Sequence, residues 1–117
     1  MTSLHAVLAA LAERPDVAGA AVVSDEGLVI AASLAAGLEA DAVAALTVSA
    51  QRAVAALTTT VAQGVPDEVV VSSSGGTMVL ARLGVGTNLL ILADTDADVG
   101  ALLYDLRRHS PALAALT

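Results

Sequence analysis

One long segment constrains the fold of this chain more than any other feature of its sequence. Residues 41–63 contain neither glycine nor proline, and Gly64 and Pro66 follow within three positions. Glycine commonly ends helices and proline cannot continue one. The pattern therefore predicts a single helix of about six turns, at about 3.6 residues per turn.

This predicted helix carries two apolar stripes. The larger stripe recurs at alternating steps of three and four residues and consists of Val43, Leu46, Ala50, Ala53, Leu57 and Val61. The second stripe has small side chains and consists of Ala45, Ser49 and Ala56, with Ala53 at its edge. A surface helix needs only one such stripe to face its core. The helix is therefore expected either to contact two neighbours or to lie deeply buried in its own domain.

The remaining elements lie on both sides of this helix in the sequence. Ser3 is expected to cap a first helix that ends at Pro15, and residues 17–24 and 28–33 read as two strands joined by a turn. After the long helix, a strand begins at Val69 and residues 72–76 form a turn. Residues 77–83 and 88–93 are two more strands, apolar on both faces. A last helix begins in the acidic residues 94–98 and ends before Pro111.

This order, α-β-β-α-β-β-β-α, predicts an α+β fold with an antiparallel sheet covered by helices on both faces. The 117 residues are enough for one domain, which we place at 1–117. Hydrophobic residues make up 56% of the chain, but Tyr104 is its one aromatic residue. A core of alanine, valine and leucine buries little area per alanine, so stability is expected to depend partly on a partner chain.

Charge and composition exclude several partners. The formal net charge is -7, and the five basic residues are all arginines, which are too few and too scattered to neutralise nucleic-acid phosphates or an anionic membrane. The longest stretch without a charged residue, 53–66, falls short of the roughly 18 residues that span a bilayer. Cysteine is absent and no basic secretory segment precedes Arg14, so we expect a cytoplasmic protein.

No residue pattern predicts catalysis, a metal site or a cofactor. Gly84 and Gly86 are followed by Leu89 where a dinucleotide fingerprint needs a third small residue, and a P-loop needs a lysine that the chain lacks. The aspartates of residues 94–98 have calcium-loop spacing, but Val99 stands where the loop needs glycine, so helix capping is favoured. The two histidines, His5 and His109, are far apart in sequence. We therefore expect that the protein is not an enzyme.

The strand that begins at Val69 is a second unexplained apolar feature. Its three valines have no lysine or central proline among them, and such residues normally protect the edge of a sheet from pairing with another chain. An unprotected edge tends to pair with another molecule, and symmetry makes a second copy of the same chain the simplest partner.

Together these segments resemble the Roadblock/LC7 domain family, which includes bacterial MglB-type regulators of Ras-like GTPases. The resemblance covers essentially the whole chain. It is carried by residues 17–24, Gly27, residues 28–31, Ala44, Ala45, residues 68–71, residues 83–92, residues 98–100 and Leu103.

The resemblance implies a profilin-like, three-layer architecture. A five-stranded antiparallel sheet would carry the long helix on one face and the two terminal helices on the other. It also implies a homodimer whose copies join edge to edge through the third strand while their long helices contact each other. The interface residues implied here are Ala45, Ser49, Arg52, Ala53, Ala56, Val69, Val70, Val71, Ser72 and Ser73.

The function implied is a non-catalytic platform that binds a small Ras-like GTPase of the MglA type and modulates its GTP hydrolysis. The alternative is a dimeric scaffold that recruits another signalling protein, such as a sensor kinase or a second Roadblock protein. A third hypothesis, a small-ligand sensor, needs a pocket with convergent polar groups. The predominance of alanine, valine and leucine argues against such a pocket.

Overall fold

The computed structural model describes residues 4–116, except for the side chain of Val7, and Ser3 with its predicted cap lies outside the described residues. The order of elements and the predicted α+β fold are confirmed. The elements are α1 (Leu4–Ala12), β1 (Val17–Ser24), β2 (Val29–Ser33), α2 (Ala40–Thr60), β3 (Glu68–Ser73), β4 (Gly76–Gly84), β5 (Thr87–Ala93) and α3 (Val99–Ala115).

The five strands form one sheet in the order β2-β1-β5-β4-β3, and every neighbouring pair is antiparallel. The central strand β5 is buried on both faces, since Leu89, Leu90 and Ile91 are each at most 2% exposed. This agrees with its unbroken apolar sequence, which suits a strand covered from both sides. The two edges of the sheet are β2 and β3.

Helices cover the two faces unequally. The main core lies between the sheet and the pair α1 and α3, where Leu8, Leu102 and Leu106 pack against Val79 and Ile91. The core under α2 is much smaller and consists of four buried residues, Ala21, Val23, Ala44 and Val48. The helix α2 therefore lies over β1 and β2 and leaves β3, β4 and β5 less covered on its side.

A close approach between the β1–β2 turn and α2 helps to fix the position of this helix. Gly27 has a φ of 84°, and a Cβ atom at this position would lie 3.2 Å from the Cα of Ala45.

By length and composition alone, α2 is the one described helix that could cross a membrane. In the fold, only Ala44 and Val48 of its apolar residues are buried, in the small core that α2 forms with β1.

The helix α2 ends three residues before the predicted boundary at Gln63. Its last turn is closed by two hydrogen bonds, from the amide of Ala62 to the carbonyl of Thr59 at 3.0 Å and from the amide of Gln63 to the carbonyl of Thr58 at 2.8 Å. Both bonds belong to the Schellman motif, in which the residue after the cap adopts a left-handed conformation. Here that residue is Ala62, with a φ of 62°, and not Gly64.

Two further boundaries differ from the prediction. The strand β3 continues through Ser73, which pairs with Gly76, so the turn contains only Ser74 and Gly75. The helix α3 does not end before Pro111 but continues to Ala115. Inside a helix, proline removes one hydrogen bond and crowds the carbonyl four residues earlier. The fully buried Leu113 nevertheless holds the last turn against the core.

The beginning of α3 confirms that the acidic segment caps a helix. The side chain of Asp98 accepts a hydrogen bond from the amide of Ala101 at 3.0 Å. This contact satisfies one of the amides that the first turn of a helix leaves unpaired.

Candidate interaction surface

The edge strand β3 is regular and unprotected. All six of its residues pair with β4 in an unbroken register, from Glu68 opposite Ala81 to Ser73 opposite Gly76. The opposite edge, β2, contains a register shift that leaves Ile30 as a bulge, and bulges make an edge a poor template for pairing. Of the two edges, β3 is therefore the better suited to receive a strand from another molecule.

The start of β3 is tied to α3 by an ion pair. The Arg107 guanidinium donates to Glu68 through Nη2 at 2.6 Å and through Nε at 3.4 Å. The hydrogen bond to Glu68 raises the pKa of Arg107 above its ordinary value. This contact holds one end of the edge strand in place from the face opposite α2.

An apolar groove lies between α2 and the strands β3, β4 and β5, and we call it the α2 groove. Its volume is about 690 Å³. The residues that line it are almost all apolar: Leu38, Val43, Leu46, Thr47, Ser49, Ala50 and Val54 on and before α2, and Val69, Val71, Met78, Leu80, Leu90 and Leu92 on the sheet. A mostly apolar groove of this volume is typical of the sites where proteins bind other molecules.

Both apolar stripes of α2 are largely uncovered. The buried residues of the helix are Ala44, Thr47 and Val48, which belong to neither stripe. From the larger stripe, Leu46 is 68% exposed and Leu57 is 63% exposed. The helix carries only two charged residues, Asp41 and Arg52, so most of this exposed surface is neutral. The interpretation of α2 as a deeply buried helix is wrong.

The structure divides the predicted interface residues among several places. Val69, Val71 and Ser49 line the α2 groove, whereas Ala45, Ala53 and Ala56 are exposed on α2 and do not line it. Strand alternation places Val70 and Ser72 on the opposite face of the sheet from Val69, Val71 and Ser73. Arg52 lies beside a separate, polar cavity.

The predicted interface did not include several residues that line the α2 groove. Leu46, Ala50 and Val54 line the groove from α2, and Met78 and Leu92 line it from the sheet. Leu46 and Ala50 belong to the larger stripe, so the periodicity contained a signal for them. The strand residues carried no such signal, because a strand that is apolar on both faces does not show which face is left uncovered.

The second cavity is polar and lies between the C-terminal half of α2, the start of β3 and the β1–β2 turn. Its volume is about 130 Å³. The residues that line it are Asp25, Val48, Gln51, Arg52, Ala55, Val65, Pro66, Asp67, Val69, Leu80, Arg82 and Asn88. We call it the polar cavity.

Hydrogen bonds fix part of the wall of the polar cavity. Asn88 is 3% exposed, and its Nδ2 donates to Asp25 Oδ1 at 2.8 Å and to the carbonyl of Val23 at 3.3 Å. The Arg52 Nη2 donates to the carbonyl of Asp25 at 2.8 Å, which joins α2 to the β1–β2 turn. The side chain of Arg52 is therefore held at the cavity.

Within residues 4–116, no group of three or more histidine, aspartate or glutamate side chains is placed to hold a metal ion. The described surface has three features suited to binding other molecules: the free edge of β3, the nearly uncharged surface of α2 and the α2 groove.

Comparison with known proteins gives the family of the chain. The family model of the Roadblock/LC7 domain matches residues 4–93, which is most of the sequence. The chain belongs to the Roadblock/LC7 domain family. This confirms the resemblance that the sequence carries.

Solved structures with the Roadblock/LC7 fold agree over nearly the whole chain. A Roadblock/LC7 domain from Streptomyces avermitilis has a TM-score of 0.88 at 24% identity, over 97% of both chains. MglB of Myxococcus xanthus has a TM-score of 0.89 at 15% identity, over 97% of this chain and 93% of that one. MglC of the same organism has a TM-score of 0.70 at 20% identity, over 99% of this chain and 100% of that one.

At these identities, the structural neighbours show a shared fold. No curated protein sequence matches the chain.

Proposed function

We propose that this protein is a homodimeric, non-catalytic platform that binds a small Ras-like GTPase and modulates its GTP hydrolysis. The observation that carries the proposal is the α2 groove together with the free edge of β3, which lie on adjoining parts of one side of the molecule. A second copy would cover both at once, because its own β3 would extend the sheet and bring its α2 near the groove.

Three features support self-association. The register of β3 is regular over six residues, so a second β3 could pair with it in antiparallel fashion. The exposed surface of α2 is almost without charge, so two copies of the helix could meet without like-charge repulsion. One of the structural neighbours is described as MglB with a tetrameric arrangement, which is a self-association of that protein.

The proposed GTPase partner rests on the family and on the kind of surface available. Phosphoryl transfer depends mainly on positioning and electrostatics, so a platform could change the rate by ordering the GTPase's own residues. The alternative function is a scaffold that recruits another signalling protein, such as a sensor kinase or a second Roadblock protein. One of the structural neighbours is MglC, and this supports the alternative in which the partner is a second Roadblock-type protein. In either case we propose a cytoplasmic location.

The oligomeric state is the first test. Light scattering on a sizing column, over concentrations from about 1 to 100 µM, should give twice the mass of the chain throughout. A well-behaved protomer at the highest concentration would contradict the homodimer.

The second test uses the small Ras-like GTPase encoded nearest to this protein in its genome. Complex formation is measured with the GTPase loaded with GDP and with a non-hydrolysable GTP analogue, and GTP hydrolysis is measured with and without this protein. We expect preferential binding in one nucleotide state and a hydrolysis rate changed by at least about tenfold. Binding without a change in rate would favour the scaffold, and no binding in either state would reject this partner.

A further inference from the structure

The outer side of α3 carries an exposed tyrosine–arginine pair. Tyr104, the one aromatic residue of the chain, is 64% exposed. The guanidinium of Arg108 lies over its ring, 5.8 Å from the ring centre. Tyrosine and arginine are enriched among the residues that contribute most of the binding energy at protein interfaces. The pair therefore indicates a contact surface on this helix.

Small residues surround this pair. Residues three and four positions apart share one face of a helix, and Ala101 lies three positions before Tyr104 on the exposed side. Further along the helix, Ala112 and Ala115 are also exposed. The opposite side of the helix is buried in the main core. We call the exposed surface formed by Ala101, Tyr104 and Arg108 the α3 face.

Opposite charges lie at separate places along α3. The segment directly before the helix contains three exposed aspartates, Asp94, Asp96 and Asp98. Arg108 follows Asp96 at a distance of about three helical turns. Neither Asp96 nor Arg108 forms an ion pair with any residue from 4 to 116, whereas Arg107 is already bound to Glu68. The helix is therefore preceded by unpaired negative charge and carries an unpaired positive charge in its C-terminal half.

These features make α3 complementary to an antiparallel copy of itself. In a contact across a two-fold axis, each pair of residues from the two copies occurs twice, once on either side of the axis. When Tyr104 of each copy lies against Ala101 of the other, Arg108 lies opposite residues 96–98 of the other copy, because both are about four positions further from the axis. A parallel copy would instead place like charges side by side.

We propose that the α3 face binds the α3 face of a second copy of this chain in antiparallel orientation. The rings of Tyr104 pack against the small side chains of Ala101, and each Arg108 guanidinium lies beside the carboxylates of Asp96 and Asp98 of the second copy. The aligned dipoles of two antiparallel helices add to this attraction, since the positive end of each meets the negative end of the other.

The contact is small and independent of the α2 groove. One helix face buries less than about 1,200 Å² in total, which is typical of weak protein contacts. We therefore expect a dissociation constant of roughly 1 mM, too weak to change the mass of the protein below about 100 µM. The helix α3 covers the face of the sheet opposite α2. The contact thus needs neither the groove dimer nor a GTPase, and at high local concentration it links homodimers into larger assemblies.

Cysteine cross-linking tests the pairing. The chain has no cysteine, so a single introduced cysteine can form a disulfide only with its copy. Ala101 lies near the proposed two-fold axis, and Ala101→Cys should bring two thiols within disulfide range, which requires Cα atoms closer than about 7 Å. Ala112→Cys is the matched control on the same helix, because in this pairing its two copies lie roughly 28 Å apart along the helix axis.

The rates of cross-linking decide the outcome. In the presence of oxidised glutathione, Ala101→Cys should form disulfide-linked dimers at least about tenfold faster than Ala112→Cys. Adding Tyr104→Ala should slow the reaction of Ala101→Cys by at least about threefold. Equal rates for the two cysteine variants would mean that the α3 face is free or binds a different molecule, and would overturn the proposal. An unchanged rate after Tyr104→Ala would overturn it as well.

A double-mutant cycle tests the charge contact. In the Ala101→Cys background, Arg108→Asp should slow cross-linking by at least about threefold, and adding Asp96→Arg should recover part of that loss. Asp98 is left unchanged because it caps α3. The matched control is Arg108→Asp with Glu26→Arg, which has the same net charge but changes an exposed residue in the β1–β2 turn. Recovery that is equal with Glu26→Arg, or absent with Asp96→Arg, would overturn the pairing.

A last variant separates this contact from the groove dimer. Leu46→Asp places a charge in the α2 groove and leaves the α3 face unchanged. Cross-linking of Ala101→Cys should persist in the Leu46→Asp background, whatever the state of the groove dimer. Loss of the cross-link there would show that it forms only inside the groove dimer, and would overturn the independent contact. Circular dichroism confirms that each variant is folded.

Discussion

Ala62 is the one non-glycine residue with a left-handed backbone conformation in the described part of the chain. It occupies the position of the Schellman motif where glycine is usually found, and its φ of 62° brings its Cβ close to its own carbonyl oxygen. The chain tolerates this strain because both hydrogen bonds of the motif form around it.

Replacing Ala62 with glycine should therefore stabilise the protein. Glycine removes the steric cost of the left-handed conformation but loses more entropy on folding, so we expect a net gain of about 0.5 to 1 kcal/mol in the free energy of unfolding. Urea unfolding measures this change in the free energy of unfolding. The control is Ala42→Gly inside α2, which should lower the free energy of unfolding by a similar amount. A loss of stability in Ala62→Gly would contradict the role assigned to its backbone.

A second feature at the scale of residues is a cluster of charges that joins the α1–β1 loop to α3. Arg14 donates to both carboxylate oxygens of Asp16, through Nε at 3.0 Å and Nη2 at 3.2 Å, and its Nη1 donates to Asp105. The hydrogen bond from Arg14 holds the pKa of Asp16 below the ordinary 3.8. All three side chains are partly buried.

This lowered pKa predicts how stability depends on pH. The contribution of Asp16 is complete above pH of about 4, the pKa of an unfolded aspartate, and is lost as the pH falls through the lower folded pKa. Asp16→Asn should therefore cost about 0.5 to 1 kcal/mol at pH 7 and progressively less below pH of about 4. Urea unfolding at several pH values measures the difference. The exposed Asp96→Asn serves as the control, and a constant deficit across all pH values would argue against the charge contact.

At the scale of elements, α3 shows how burial can outweigh a local signal. Pro111 lies inside this helix, where it lacks the amide that would bond the carbonyl of Arg107. Two residues later, Leu113 is fully buried in the main core, while Leu116 is 39% exposed. The apolar contact therefore holds the helix together past the proline.

Truncating Leu113 tests this account. Leu113→Ala should lower the free energy of unfolding by about 2 to 4 kcal/mol, as expected for a buried leucine. Leu116→Ala removes the same atoms from an exposed site and should cost less than about 1 kcal/mol. Equal, small losses for the two variants in denaturant unfolding would mean that the segment after Pro111 does not belong to the core.

At the scale of the whole molecule, the sheet has one well-covered face and one that is covered only in part. The helices α1 and α3 bury the first face, whereas α2 covers only β1 and β2 on the second. The remaining apolar surface lies in the α2 groove and next to the free edge of β3. The proposed dimer follows from this asymmetry.

A charge placed in the α2 groove should prevent the proposed dimer. Leu46 lines the groove and is 68% exposed, so Leu46→Asp should leave the single chain folded. Burying the new carboxylate against a partner is costly, and the dimer dissociation constant should rise by more than about 100-fold. Leu28→Asp is the matched control, because Leu28 is 66% exposed but lies at the β1–β2 turn. Light scattering that shows a dimer for Leu46→Asp would contradict an interface through the groove.

The order of elements, the fold and the family could all be predicted from the sequence. Local signals carry them: the periodicity of residues 41–63, the doubly apolar strands and the capping aspartate before α3. The three valines of β3 likewise marked the unprotected edge before its register was known. Such signals suffice because helix and strand formation depend on residues close in sequence.

The tertiary structure alone decided which side of α2 is buried and which groups meet in the polar cavity. Periodicity shows that stripes exist, but the position of the helix over the sheet selects Ala44 and Val48 for the core and leaves Leu46 uncovered. No pattern in the sequence predicted that Gln51, Arg82 and Asp67 would line one cavity. These residues come from elements that are far apart in the chain. Their contacts depend on how the whole sheet packs, and local sequence patterns do not report that packing.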